Sequence, residues 1–256
     1  VNRPGAGGRT ARRYLADQEG KCNVLSGATQ SWITRGAINP DDLDHTNFTP
    51  VAHLAGSPVA LLVGADDDRF DTLDDFVEYA RERPGEVSQG GPDVGSGEWL
   101  ATKMLEDETG IQINYVSFQE GGNVMPSILG GHVDFVFGNP GEVSQYVEAG
   151  DLKFLAVMML ERLDSFPDIP TFKELGYGDL EYFAPRGFYG PPNMPAQCRD
   201  YWEQAFEQAL DTDIMQNWLE NTGNSAIYRN GSAYVDFIEN FQNSTIPILD
   251  REGLLD

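Results

Sequence analysis

Apolar positions along this chain alternate between two rhythms, and the switch from one to the other marks out the elements. Short β-branched or continuous apolar runs predict strands at residues 22–27, 48–54, 59–63, 111–116, 133–137 and 152–157. The run from Val59 to Val63 has no polar position, the pattern of a strand covered on both faces. Between these runs the apolar positions fall at helical spacing. Leu73, Phe76, Val77 and Ala80 share one face behind a Thr72 cap, and Pro84-Gly85 closes that helix. Trp99, Leu100, Met104 and Leu105 predict a helix over residues 98–109. Val124, Ile128 and Leu129 begin another that Gly130-Gly131 stops, and a further helix runs to Ala149. Helices are also predicted over residues 10–18, 196–210, 214–221 and from 232 to 242 or beyond. Residues 166–172 and 182–192 are less regular; the second stretch is aromatic and extended and reads as a connector between lobes. Strand, loop, helix and strand repeat in that order, which predicts an α/β protein with mainly parallel sheets.

Gln89 to Trp99 draws attention within this pattern. Four glycines and a proline fall within eight residues there. Glycine lets main-chain N–H groups converge, Ser96 can cap the helix that follows, and a helix N-terminus attracts an anion. The stretch lacks the Lys of a phosphate-cradling P-loop and the spacing of a dinucleotide fingerprint, so an ordinary turn remains the competing account. Other predicted strands also end in small-residue loops, at residues 26–31, 118–123 and 138–139. Ligands of open α/β sheets sit beyond such carboxyl ends.

Charge changes the picture next. The 256 residues carry 41 acidic and 17 basic side chains, a net charge of −24. That excludes a nucleic-acid binder, which needs a basic face. The acids are dispersed, as in Asp41-Asp42, Asp66-Asp67-Asp68 and Asp74-Asp75. A solvated surface of the kind suited to a salty habitat is the expectation, since salt screens self-repulsion. An anionic ligand would have to be held by local donors against this field. No apolar run is long enough to span a membrane. The three histidines, His45, His53 and His132, fit no metal-binding spacing, and no nucleophile elbow or paired CxxC is present. No catalytic residue, metal or cofactor is therefore expected. A His132–Asp134 dyad is outweighed by a solvated turn. Cys22 and Cys198 can pair in an oxidising compartment or stay as buried thiols.

The order of motifs resembles the tripartite tricarboxylate transporter solute-binding proteins, the Bug or TctC family. The resemblance starts at Asn2-Arg3-Pro4-Gly5-Ala6-Gly7-Gly8 and continues through Ala37-Ile38-Asn39-Pro40, Phe48-Thr49-Pro50-Val51-Ala52 and the central Gly-rich loop. It runs on in Gly121-Gly122, Leu129-Gly130-Gly131-His132-Val133-Asp134, Phe166-Pro167-Asp168-Ile169-Pro170-Thr171 and Arg186-Gly187-Phe188. It implies a two-lobed, type II periplasmic-binding fold, with lobe 1 at residues 1–57 plus 186–256 and lobe 2 at 58–185. It implies capture of a small organic carboxylate (mono-, di- or tricarboxylate) between the lobes, delivery to membrane transporter subunits, a periplasmic or extracytoplasmic location, a monomer, and no chemistry on the ligand. The family's secretion signal, first strand and first pocket loop would precede Val1 and are not in the sequence given, so the expectation is either an incomplete stretch of the protein or a cleft that has lost one wall.

Site residues follow from the same resemblance. Gly95, Ser96 and Gly97 would hold a ligand carboxylate from lobe 2, with Phe118, Gln119, Gly121 and Gly122 lining that side and Asn139 at the pocket wall. Ala28, Thr29 and Gln30 would face them from lobe 1, and Arg186 would pair with a distal carboxylate or else form a surface ion pair. Two positions depart from the family pattern. Asp93 stands where small neutral residues are usual, and Gly138 replaces a common Asp, which removes the expected handle for an amine-bearing ligand. A ligand sensor built on the same fold, and an enzyme acting on a small acid, are the alternative functions.

Overall fold

The computed structural model describes residues 2–3, 8–39, 43–118 and 123–255. The chain divides into two units. One holds Val1–Gly56, Pro185–Leu219 and Ala226–Asp256; the other holds Ser57–Ala184 and Glu220–Ser225. The described elements begin with α1 (Arg9–Ala16), β1 (Ser26–Ala28), α2 (Ser31–Ile38), β2 (Thr49–Pro58) and β3 (Ala60–Gly64). Next come α3 (Leu73–Glu82), β4 (Ser88–Gly91), α4 (Gly97–Thr109), β5 (Asn114–Ser117) and α5 (Val124–Leu129). Then follow β6 (Phe135–Gly138), α6 (Pro140–Glu148), β7 (Leu152–Val157) and β8 (Phe183–Gly190). The chain continues with α7 (Ala196–Leu210), α8 (Asp213–Thr222), β9 (Ser225–Asn230) and α9 (Gly231–Arg251).

The first unit is built on a sheet of order β1-β8-β2-β9, with β1 antiparallel to β8. Alternation along β8 sends successive side chains to opposite faces. Tyr189 joins Leu15, Trp32, Phe48, Tyr234 and Ile238 on one side. Phe188 packs on the other with Leu54, Met194, Cys198, Trp202 and Phe206. Gly187 has no room for a side chain, because a Cβ there would strike the Tyr234 hydroxyl. A Cys22–Cys198 disulfide ties the segment before β1 to α7, and Trp202 Nε1 donates to the Cys22 carbonyl at 2.7 Å. The pairing left open by the sequence is thereby decided.

The second unit has a five-stranded sheet of order β5-β4-β6-β3-β7. Strand β4 is parallel to β5 and β6, whereas β3 is antiparallel to β6 and β7. Four strands therefore share one direction and β3 alone opposes them. This sheet is parallel in direction, as expected, except at β3, and the cause is connectivity. Only Val59 separates β3 from β2, so β3 arrives as a continuation of an extended run and not by a helical crossover. The shared direction of β4, β5 and β6 brings their carboxyl ends to one edge. Helix α3 forms where the spacing predicts it: Leu73, Phe76, Val77 and Ala80 are buried, and Thr72 and Asp75 make a reciprocal capping box.

Four elements differ from the periodic pattern. β1 is only three residues long, and β5 begins at Asn114 because the Ile113 amide is taken by Glu106 Oε1 at 2.6 Å. Residues 183–190, expected to be a connector, form a strand between β1 and β2. β9 is absent from the sequence reading, since its half-buried positions show no clean apolar alternation.

Candidate functional site

In the second unit, β4 ends at Gly91 and α4 starts at Gly97. Ser96 is the N-cap: its Oγ accepts from the Trp99 amide at 3.3 Å, and its own amide donates to the Asp93 carbonyl at 3.0 Å. Gly95 sits at φ 83, the left-handed region that favours glycine. The Gly95 and Gly97 amides have no hydrogen-bond partner among the described residues. Both lie at the positive end of α4, where an anion is stabilised.

Hydroxyl bookkeeping separates support from contact. Tyr115 donates its phenol proton to the Pro92 carbonyl at 3.0 Å. The Ser96 hydroxyl, 3.2 Å away, must then donate to the Tyr115 oxygen while accepting from Trp99. Ser96 is thus engaged within the loop and shapes it. Burial pushes the Tyr115 pKa up, with the nearby charges of Glu98 and Asp93 acting the same way, so the phenol keeps its proton. A Cβ at Gly91 would collide with this phenol, which explains glycine there. Phe118 donates its amide to the Gly91 carbonyl at 2.8 Å and rests its ring on the cluster containing Val124, Ile128 and Val133. Gln119, Gly121 and Gly122 lie outside the described residues. Asp93 is exposed.

Asn139 is buried and is the N-cap of α6. Its Oδ1 accepts from the Gly141 and Glu142 amides at 2.9 and 3.2 Å. Its Nδ2 donates to Ser57 Oγ at 2.9 Å, with Pro58 O and Asn224 Oδ1 each at 3.4 Å. Both ends of the amide are therefore employed inside the second unit, between Ser57 and Asn224. A Cβ on neighbouring Gly138 would press on Val143 at 3.0 Å, so a larger residue there would require a shift.

In the first unit, Thr29 and Gln30 cap α2 through their carbonyls: Trp32 N meets Thr29 O at 3.0 Å, and Ile33 N meets Gln30 O at 2.8 Å. The Gln30 Oε1 is buried with no hydrogen-bond partner. Ala28, Thr29 and Arg186 line one hollow of about 440 Å³, together with Phe188, Phe206 and Trp218. Arg186 has no ion pair or hydrogen bond among the described residues. The sequence reading picked out three of these residues and missed the aromatic wall. Its only trace was Phe188 two places along the strand from Arg186, on the same face.

On the other side of this sheet, His53 on β2 is fully buried and stacks against Tyr234 and Phe237. Its Nδ1 lies 2.9 Å from an Arg229 guanidinium N–H, so Nδ1 must accept; Nε2, 3.0 Å from the Ala55 carbonyl, then carries the proton. Burial first, and Arg229 second, lower its pKa to about 4.

Nothing at His132–Asp134 resembles a catalytic pair. Asp134 Oδ2 accepts from the Ser88 amide and hydroxyl at 2.7 and 2.6 Å, and Oδ1 binds Arg69 at 2.7 Å. No group of three metal-ligating side chains occurs among the described residues, and no described helix is long and apolar enough to cross a membrane.

Known proteins bear on this geometry. The family model described as tripartite tricarboxylate transporter family receptor matches residues 1–254. A UPF0065 protein from the gbd 5′ region of Cupriavidus necator is 27% identical over 261 residues, covering 99% of this chain and 77% of that protein. A TctC solute-binding protein from Polaromonas superposes with a TM-score of 0.79 at 25% identity, covering 98% of this chain and 86% of the other. A Rhodopseudomonas palustris protein solved with adipate superposes with a TM-score of 0.87 at 23% identity, covering 98% and 85%.

Proposed function

Because the chain belongs to the tripartite tricarboxylate transporter family of receptors, we propose that it captures a small organic carboxylate outside the cytoplasm and delivers it to the membrane subunits of such a transporter. The family is one of receptors, and the structural neighbours are solute-binding proteins and not enzymes. The carrying observation is the pair of amides, Gly95 and Gly97, at the N-terminus of α4, neither with a hydrogen-bond partner among the described residues. In a chain of net charge −24, long-range attraction cannot recruit an anion. Fixed backbone donors at a helix terminus can hold one. The adipate carried by the Rhodopseudomonas palustris neighbour supports a carboxylate as the ligand. Ser96 and Tyr115 support the loop, Asn139 positions the start of α6, and Ala28, Thr29, Gln30 and Arg186 supply ligand contacts from the first unit. The disulfide supports an oxidising, extracytoplasmic setting.

The test removes one donor with little disturbance. Gly97 is the first residue of α4, where proline is well tolerated, and Ser96 already has the extended conformation (φ −69, ψ 172) that a following proline requires. Gly97→Pro should leave the melting temperature close to that of the parent and weaken carboxylate binding at least tenfold, read by calorimetry across mono-, di- and tricarboxylates. Unchanged affinity for every acid that binds the parent would remove the amide assignment.

A further inference from the structure

The hollow in the first unit has a chemistry unlike that of the amide loop. Its wall is formed by Leu54, Phe188, Phe206, Met215 and Trp218, and its volume of about 440 Å³ lies in the range of small-molecule sites. One cation, Arg186, stands at this wall. The chain has 41 acidic side chains against 17 basic ones, so an arginine has abundant candidate partners. Arg69, Arg162, Lys103 and Lys153 each have an acidic partner within 4 Å. Arg186 has none among the described residues, and no hydrogen bond either. Its place on β8, alternating with Gly187 and level with Phe188, puts it on the face that carries the hollow. An unpaired guanidinium beside apolar and aromatic surface is a site for an anion whose remainder is itself apolar.

We infer that this hollow receives the apolar body of the ligand while Arg186 pairs with an anionic group on it, so the receptor selects carboxylates with an aryl or alkyl body over compact hydroxylated di- and tricarboxylates. The inference rests on the carboxylate-receptor reading and adds the substrate class. Among the described residues Thr29 is the only hydroxyl-bearing side chain at this wall, too few polar groups to replace the hydration of a citrate or tartrate backbone. Each added methylene of an alkyl acid buries more apolar surface against Phe188, Phe206 and Trp218, which amounts to about three- to fourfold in affinity per methylene until the hollow is full.

Calorimetry with butanoate, hexanoate, octanoate, phenylacetate, adipate, malate and citrate tests this directly. The expected result is affinity rising stepwise with chain length and at least tenfold selectivity for the apolar-bodied acids over malate and citrate. Arg186→Gln should cost at least tenfold for the apolar-bodied acids. Ala209→Phe, which fills the hollow from α7, should abolish the chain-length dependence. Ala209→Met is the milder filling variant should the larger ring impair folding, and should reduce the slope. Ligand-induced change in tryptophan emission should vanish in Trp218→Phe. Malate or citrate binding more tightly than the alkyl and aryl acids, or a chain-length dependence that survives both filling variants, would overturn the inference. If compact acids alone bind and Gly97→Pro abolishes that binding, the receptor reading stands and this inference fails by itself. If none of the acids binds, both fail.

Discussion

In the second unit the proposed anion donors are main-chain amides at a helix terminus; in the first, the polar group is a guanidinium beside an aromatic wall. The first arrangement carries no net charge and depends on backbone conformation, through the left-handed Gly95, the Ser96 cap and the Tyr115 phenol that leaves space only for glycine at position 91. The second depends on side-chain packing, through alternation along β8 and the helices laid over it. The contrast teaches that backbone conformation fixes the polar groups in one unit and side-chain packing fixes them in the other.

The units also differ in what holds them together, and this can be tested from the largest effect downward. The first unit has the Cys22–Cys198 disulfide, and no free cysteine is left over. Cys198→Ser should destabilise that unit by about 2–5 kcal/mol. Denaturation followed by Trp202, which bonds to Cys22, should shift to lower denaturant, while the second unit's transition stays in place. Equal shifts in both would break the contrast.

His53 should add a pH dependence confined to the first unit. Its folded pKa, lowered to about 4, lies below the unfolded value of about 6.5. The unfolded chain therefore binds the proton first, so the neutral-His53 contribution is complete above pH 6.5 and is lost as pH falls from there toward 4. The full span corresponds to about 3 kcal/mol. Denaturant titrations at pH 7 and pH 4.5 should show the loss, and His53→Gln should remove most of the pH difference.

In the second unit, Asn139→Ala removes a buried cap together with the link to Ser57 and Asn224. It should cost about 2 kcal/mol, seen as a lowered midpoint of that unit alone. The smallest expected effect is general. Raising salt from dilute buffer to the molar range should raise the melting temperature of both units by screening the net charge of −24. Salt-independent melting would discount the salty-habitat expectation.

Much of this was readable before any coordinates. Helix α3 was legible because propensity, capping and apolar spacing agree at Thr72, Asp75 and the four buried apolar positions. The Gly-rich loop was legible as a helix start because Ser96 is followed by apolar residues at helical spacing. β9 was not, because a half-buried edge position imposes no strict alternation on Ser225–Asn230. Asn139 was read as a pocket residue, yet a lone Asn before Pro does not reveal whether its amide will face a ligand or span to Ser57, 82 positions earlier.

The amino-acid order by itself determined the local features: where helices start, where glycine is needed, which strand tips end in small residues, and how far the acidic surface extends. These depend on neighbours a few residues apart, whose interactions the chain encodes directly. Only the tertiary structure decided that Cys22 meets Cys198, that β3 runs against its four companions, that Ser96 and Asn139 are engaged within their own unit, and that Arg186 stands beside an aromatic hollow with no ion pair among the described residues. Each of those outcomes is set by contacts between distant segments, and spacing along a chain does not specify which distant partner will satisfy a given group.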